Sequence, residues 1–159
     1  MKIIRVSSTW DNFAQENDGL SSCFDKIKNR SIYDFITGYE TKMWFETVLK
    51  LAELKKETIS RNYRCDSPNL RRNMLMNATY ESSGEICIEH ILLSTELRKK
   101  PVFFKSTNSP GKKAPLRCSI CGKIKVDKQW VEADSHESSQ FNVIYTICNG
   151  CYGKTFTAL

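Results

Sequence analysis

Two Cys-x-x-Cys pairs, Cys118-Ser119-Ile120-Cys121 and Cys148-Asn149-Gly150-Cys151, constrain this chain of 159 residues more than any other feature. Two sulfurs separated by two residues reach one cation across a tight turn, and a second pair closes a tetrahedral shell. Pairs at this spacing read as a zinc site rather than a disulfide framework. Redox-active dithiols and unrelated core cysteines are the alternatives. The pairs continue as Gly122-Lys123 and Tyr152-Gly153. A glycine at or just past the second ligand lets the backbone turn sharply towards the sulfurs. Four sulfurs leave no open coordination position, so the expected Zn²⁺, held by Cys118, Cys121, Cys148 and Cys151, is structural.

The formal charge of +6 resembles a nucleic-acid signal until it is located. Residues 1–96 are close to charge-balanced, and residues 118–159 carry acids and bases in equal number. The excess lies between them, in Arg98, Lys99, Lys100, Lys105, Lys112, Lys113 and Arg117, with no acid and with Pro101, Pro110, Gly111 and Pro115. Such a stretch reads as a solvated linker, or as a tether that touches an anionic partner. The expected organisation is therefore a domain over 1–96, a basic linker over 97–117 and a small metal-dependent domain over 118–159. There is no basic-then-apolar leader, and no apolar run approaches the ~20 residues that span a bilayer. Cys23, Cys65 and Cys87 remain as free thiols, which suits a reducing cytoplasm and no membrane partner.

Within 1–96, Ile3-Ile4-Arg5-Val6 reads as a short strand and Ser8 to Glu16 as a helix with Trp10, Phe13 and Ala14 on one face. Ser22-x-x-Asp25 and Ser31-x-x-Asp34 mark two short helical turns, 22–28 and 31–36. Thr37 to Glu40 is a capping box, followed by Phe45, Val48, Leu49 and Ala52 at helical spacing up to about Lys56. From Ile59 the period becomes two, through Cys65. Two further strands, Asn73–Glu81 and Glu85–Ser94, flank the tight-turn sequence Glu81-Ser82-Ser83-Gly84. The class is α+β.

This order resembles a PAS domain, in which small helices and one long helix pack on an antiparallel sheet. The resemblance rests on Trp10-Asp11-Asn12-Phe13-Ala14-x-x-Asn17 and on Asn29-Arg30-Ser31-Ile32-Tyr33-Asp34-Phe35-Ile36. Only about nine residues precede Trp10, room for one strand of the usual first hairpin, so the expected sheet is either one strand short or covered at its edge by a partner chain. The tail is similar to a zinc-ribbon-like segment of bacterial PAS-containing signalling proteins. The matching residues are Cys118-x-x-Cys121-Gly122-Lys123-Ile124-Lys125, Trp130-x-Glu132 and Ile147-Cys148-x-x-Cys151; Tyr145, Thr146 and Asn149 depart from the family's His, Gly and Pro.

The PAS resemblance implies a ligand space between long helix and sheet, lined here by Phe45, Val48, Leu49, Tyr63, Met74, Met76, Ile88 and His90; the plain alternative is a packed core. Residues 40–56 hold no histidine, which argues against haem. Cys65 lies in Tyr-Arg-Cys-Asp-Ser-Pro, unlike the reactive-cysteine stretch of the flavin photosensors. His136 reads as a loop histidine rather than a fifth ligand. Arg71 and Arg72, beside Arg64-Cys65-Asp66-Ser67-Pro68, can contact an anion or pair with Asp66. No catalytic motif is present in the sequence, so no enzyme is expected. The expected function is a cytoplasmic signalling or sensor homodimer whose zinc tail docks on a signalling partner, with a small-molecule ligand as an option. Nucleic-acid binding through the linker and thiol redox sensing are the alternatives.

Overall fold

The helix that the sequence marks most clearly is also the element around which the larger part of the protein is built. The computed structural model describes residues 1–16, 19–107 and 114–156. Asn17, Asp18, Pro110, Gly111, Lys112 and Lys113, on which parts of the sequence reading rest, lie outside them. Two compact units divide the chain, Met1–Thr37 and Gly38–Leu159. The boundary thus falls just before the long helix rather than at residue 96, because that helix and the strands after it pack with the cysteine region.

The first unit holds helix α1 (Trp10–Glu16) and the short helix α2 (Phe24–Ile27), with 3-10 turns at Leu20–Ser22 and Ile32–Phe35. The expected strand Ile3–Val6 does not form; an isolated bridge joins the preceding Lys2 to Ser31, and the Asn29 amide donates to the Ile3 carbonyl. Trp10 Nε1 donates to the Ser22 carbonyl at 2.7 Å, tying the start of α1 to the 3-10 turn that follows it. Asp11 Oδ1 accepts from the Phe24 amide, so it caps α2 rather than its own helix. Ala14 is buried, whereas Phe13, expected on the same face, is exposed.

In the second unit, α3 (Tyr39–Lys55) starts from Gly38 at φ 90° with no side-chain cap, so the Thr37–Glu40 capping box does not form. Gly38 is required sterically: a Cβ there would stand 2.8 Å from the Tyr145 Cβ. The helix ends at Lys56 in the left-handed region, a place more often taken by glycine. Trp44, Phe45, Val48, Leu49 and Ala52 form its buried stripe.

A three-stranded antiparallel sheet follows, of β1 (Thr58–Arg64), β2 (Leu70–Tyr80) and β3 (Ile86–Leu97) in that order. Gly84 at φ 84° closes the expected β2–β3 hairpin. Ile59, Met76 and Ala78 share one sheet face by register and are buried. The other face carries side-chain ladders, Thr58 to Thr79 and Ser60 to Asn77.

A second sheet of five strands runs β4 (Phe103–Ser106), β8 (Gln140–Thr146), β5 (Leu116–Cys118), β6 (Ile124–Val126), β7 (Gln129–Val131). β4 and β5 pair with β8 in parallel, and the β5–β6–β7 contacts are antiparallel. Its core is Val102, Ile124, Ala133, Phe141 and Val143. The segment 97–117 is therefore not simply a solvated linker. It contributes a core valine and two strands, because Phe104 and Val102 supply apolar surface between the lysines. Helix α4 (Asn149–Phe156) follows β8. The fold is α+β, and among the described residues no helix is long and apolar enough to cross a membrane.

Candidate metal centre

Cys118 closes β5, Cys121 lies in the turn after it, Cys148 follows β8, and Cys151 sits in the first turn of α4. The parallel pairing of β5 with β8, Cys118 opposite Thr146, brings the two Cys-x-x-Cys segments side by side. All four sulfurs lie within 4.8 Å of one another, and Cys121 Sγ to Cys148 Sγ is 3.9 Å. A tetrahedral Zn²⁺ with Zn–S bonds of about 2.3 Å requires sulfurs about 3.8 Å apart, so the donor set fits. The Cys148 amide donates to Cys118 Sγ at 3.3 Å, and Cys118 and Cys148 are buried.

The protonation chemistry of the donors points the same way. Hydrogen bonds from Cys121 and Cys151 push the Cys118 thiol far down. The contact with Cys118 raises Cys121 to about 11, and the contacts with Cys118 and Cys121 push Cys151 up further. Four sulfurs this close cannot all ionise unless a cation balances them, and a metal ligand is the thiolate. The cluster can hold a metal ion, and its soft tetrahedral sulfur set suits zinc or iron rather than a hard cation.

Glycine plays the expected role at only one pair. Gly122 has φ 72°, whereas Gly153 lies inside α4 with no such demand. Gly122 also makes room: a Cβ there would meet Asp66 Oδ2 at 2.9 Å and the Arg64 guanidinium at 3.0 Å.

Those neighbours belong to a buried ionic network that the sequence reading did not assemble. Arg64 donates through Nη1 to the Cys121 carbonyl and to Glu132, and through Nε and Nη2 to both oxygens of Asp66. The Asp66 side chain, 1% exposed, also takes Arg98 Nη2 at 2.6 Å and faces Arg117 Nη2 at 3.5 Å. Arg71 binds both oxygens of Asp134 at 2.6 Å and reaches Glu132 and Glu96 at 3.5 Å. Burial raises the Asp134 pKa, but hydrogen bonds from Arg71 and the Lys99 amide outweigh it and hold the carboxyl below its ordinary value. Arg71, expected as an anion contact, therefore already binds carboxylates of this chain. The Arg72 amide donates to Asp66 Oδ1 at 3.3 Å. The sequence marked its members separately, in Arg64-Cys65-Asp66-Ser67-Pro68, Arg71, the basic Arg98 and Arg117, and Trp130-x-Glu132, but not their convergence.

The network also accounts for part of the basic excess. Arg98 and Arg117 face Asp66, Arg117 lies 3.7 Å from the Phe104 ring centre, and Lys100 Nζ donates to the Glu137 carbonyl. Arginines thus gather beside a centre that would bear net negative charge were four thiolates to hold a divalent metal.

Of the residues expected to line a ligand space, Phe45, Val48, Leu49 and Met76 are buried, whereas Tyr63, Met74 and Ile88 are half-buried. His90 is exposed, and its Nδ1 meets the Tyr63 hydroxyl at 2.9 Å. Burial, then the nearby Cys65 charge, raise the Tyr63 pKa to about 12. An open cavity of about 380 Å³ lies in the first unit, lined by Ile4, Arg5, Ser8, Asp11, Phe24 and Lys28 among others. His136 is exposed in a turn, accepts from the Ser138 amide and is not part of the sulfur cluster. Comparison with models of known protein families, with curated proteins and with solved structures finds no match to this chain.

Proposed function

We propose that this is a non-enzymatic signalling or sensor protein of the PAS–zinc kind, cytoplasmic and homodimeric, in which a structural Zn²⁺ holds the docking module together. The observation that carries this reading is the closed sulfur cluster joined to the rest of the fold. All four donors of one tetrahedral site come from the chain, and Arg64 binds the carbonyl of one of them. Cys118, Cys121, Cys148 and Cys151 would hold the metal, which supplies cross-linking and charge balance rather than a reactive water.

Dimerisation draws support from the edge of the first sheet. β3 is a long edge strand on which Ile91, Leu92, Leu93 and Leu97 are exposed. Unpaired backbone beside apolar side chains favours pairing with another chain, and a second copy offers a strand of equal length. Nucleic-acid binding is less well supported, since Arg98 and Arg117 already face Asp66.

The test is metal analysis with native mass spectrometry on protein purified without added metal. One zinc per chain and a dimeric mass are expected, and a small-molecule adduct would identify a ligand. A metal-free monomer with Cys118–Cys121 or Cys148–Cys151 disulfides would overturn the reading in favour of a thiol redox protein.

A further inference from the structure

The end of β1 touches the cysteine turn through its main chain and its side chain together. The Arg64 amide donates to the Ile120 carbonyl at 2.8 Å, and Arg64 Nη1 donates to the Cys121 carbonyl at 2.8 Å. Both acceptors belong to the tetrapeptide whose two ends are metal donors. The remaining guanidinium nitrogens hold Asp66, whose carboxylate fills the space that Gly122 leaves open. One residue of the three-stranded sheet therefore reads the conformation of the Cys118–Cys121 turn, and one glycine of that turn reads the position of Asp66.

We propose that Arg64 and Asp66 are positioning residues that couple metal occupancy to the docking of the three-stranded sheet on the five-stranded one. The inference rests on the metal reading given above and deepens it. With the metal bound, the turn is pinned at both sulfurs, and the Ile120 and Cys121 carbonyls stay aimed at Arg64. When the metal leaves, the turn is free to change shape, and those carbonyls no longer converge on one guanidinium. Arg64 and Asp66, buried and linked to Arg98, Glu132 and Arg71, cannot lose a partner cheaply, because a broken buried ion pair leaves charge uncompensated. The contact between the sheets then loosens. Coupling of this kind is reciprocal, so weakening the latch must weaken metal binding by the same factor. Groups that orient metal ligands from outside the coordination shell typically contribute about 10–100-fold to affinity.

The experiment uses the full chain and zinc itself as the probe. Zinc affinity is measured by competition with a chromogenic chelator for the unmodified protein, for Asp66→Asn, and for Glu46→Gln, which breaks only the exposed Glu46–Lys50 pair. Asp66→Asn is expected to bind zinc about 10–100-fold more weakly, with Glu46→Gln unchanged. Amide hydrogen exchange of the unmodified protein, with and without zinc, is the second readout. Removing zinc is expected to expose the Arg64 amide, while amides of Met76 and Ala78 in the central strand stay protected. An unmodified chain that does not bind zinc removes the metal reading and this proposal with it. Tight zinc binding that Asp66→Asn leaves within about twofold, with equal protection of Arg64 in both states, overturns the coupling alone and leaves the metal site standing. Should Asp66→Asn fail to fold, the exchange measurement on the unmodified chain decides.

Discussion

A Cβ on Gly122 would stand 2.9 Å from Oδ2 of Asp66, so the glycine of the cysteine turn and the carboxylate after β1 occupy adjoining space. Asp66 cannot retreat, because Arg64, Arg98 and Arg117 surround it. The φ of 72° at Gly122 adds backbone strain to any side chain placed there. Gly122→Ala is expected to lose about 1–3 kcal/mol of stability. A urea denaturation curve of the zinc-loaded protein reads this as a lower midpoint, and an unchanged midpoint would show slack in the turn.

Two leucines of α3 separate core from surface. Leu49 is 1% exposed and Leu54 is 79% exposed. Leu49→Ala should cost about 2–5 kcal/mol, the range for emptying a packed leucine site. Leu54→Ala should stay within about 0.5 kcal/mol of the parent. Equal losses at both positions, measured by the same denaturation series, would mean that the helix packs on a different stripe.

Asp134 titrates low because Arg71 and the Lys99 amide hold its anion, against the opposing effect of burial. A depressed folded-state pKa contributes stability that is present above the ordinary carboxylate value of 3.8 and lost as pH falls through the folded one. Carboxyl-carbon NMR of the folded protein should place the Asp134 midpoint below 3.8. A midpoint at or above that value would mean that the Arg71 pair is absent in solution.

Thiol accessibility distinguishes the two kinds of cysteine. Cys65 and Cys87 are exposed, whereas Cys118 and Cys148 are buried in the cluster. Treating the zinc-loaded protein with N-ethylmaleimide should label Cys65 and Cys87 first, as peptide mass spectrometry would show. The clustered sulfurs should react only after a chelator is added. Rapid labelling of Cys118 before chelation would show that it is not a ligand.

The strands of the first sheet and the long helix were legible because their signals are local. The period of two in β1, the Glu81–Gly84 turn and the apolar stripe of α3 each lie within a few residues of chain. Terminal details were less so. Lys56, Asp127 and Lys128 all adopt positive φ without being glycine or asparagine, so the α3 stop and the β6–β7 turn carried no readable mark. The Ile3–Val6 stretch has strand composition, but the bridge in the first unit falls at Lys2, just before it.

The sequence by itself determined the candidate donor set: four cysteines in two pairs, at a spacing that suits a single metal ion. It also determined the α+β class, since periodicity depends only on neighbours along the chain. Tertiary structure decided what the charges do. Phe103 pairs with Gln140 and Leu116 with Ile144, and these parallel registers turn a basic segment into two strands of a sheet. The same folding brings Asp66 against Arg98 and Arg117, and Asp134 against Arg71. A charged side chain looks alike in sequence whether it is solvated or paired. Only burial and the partner delivered by register determine whether arginine is a free surface cation or the bolt between two sheets.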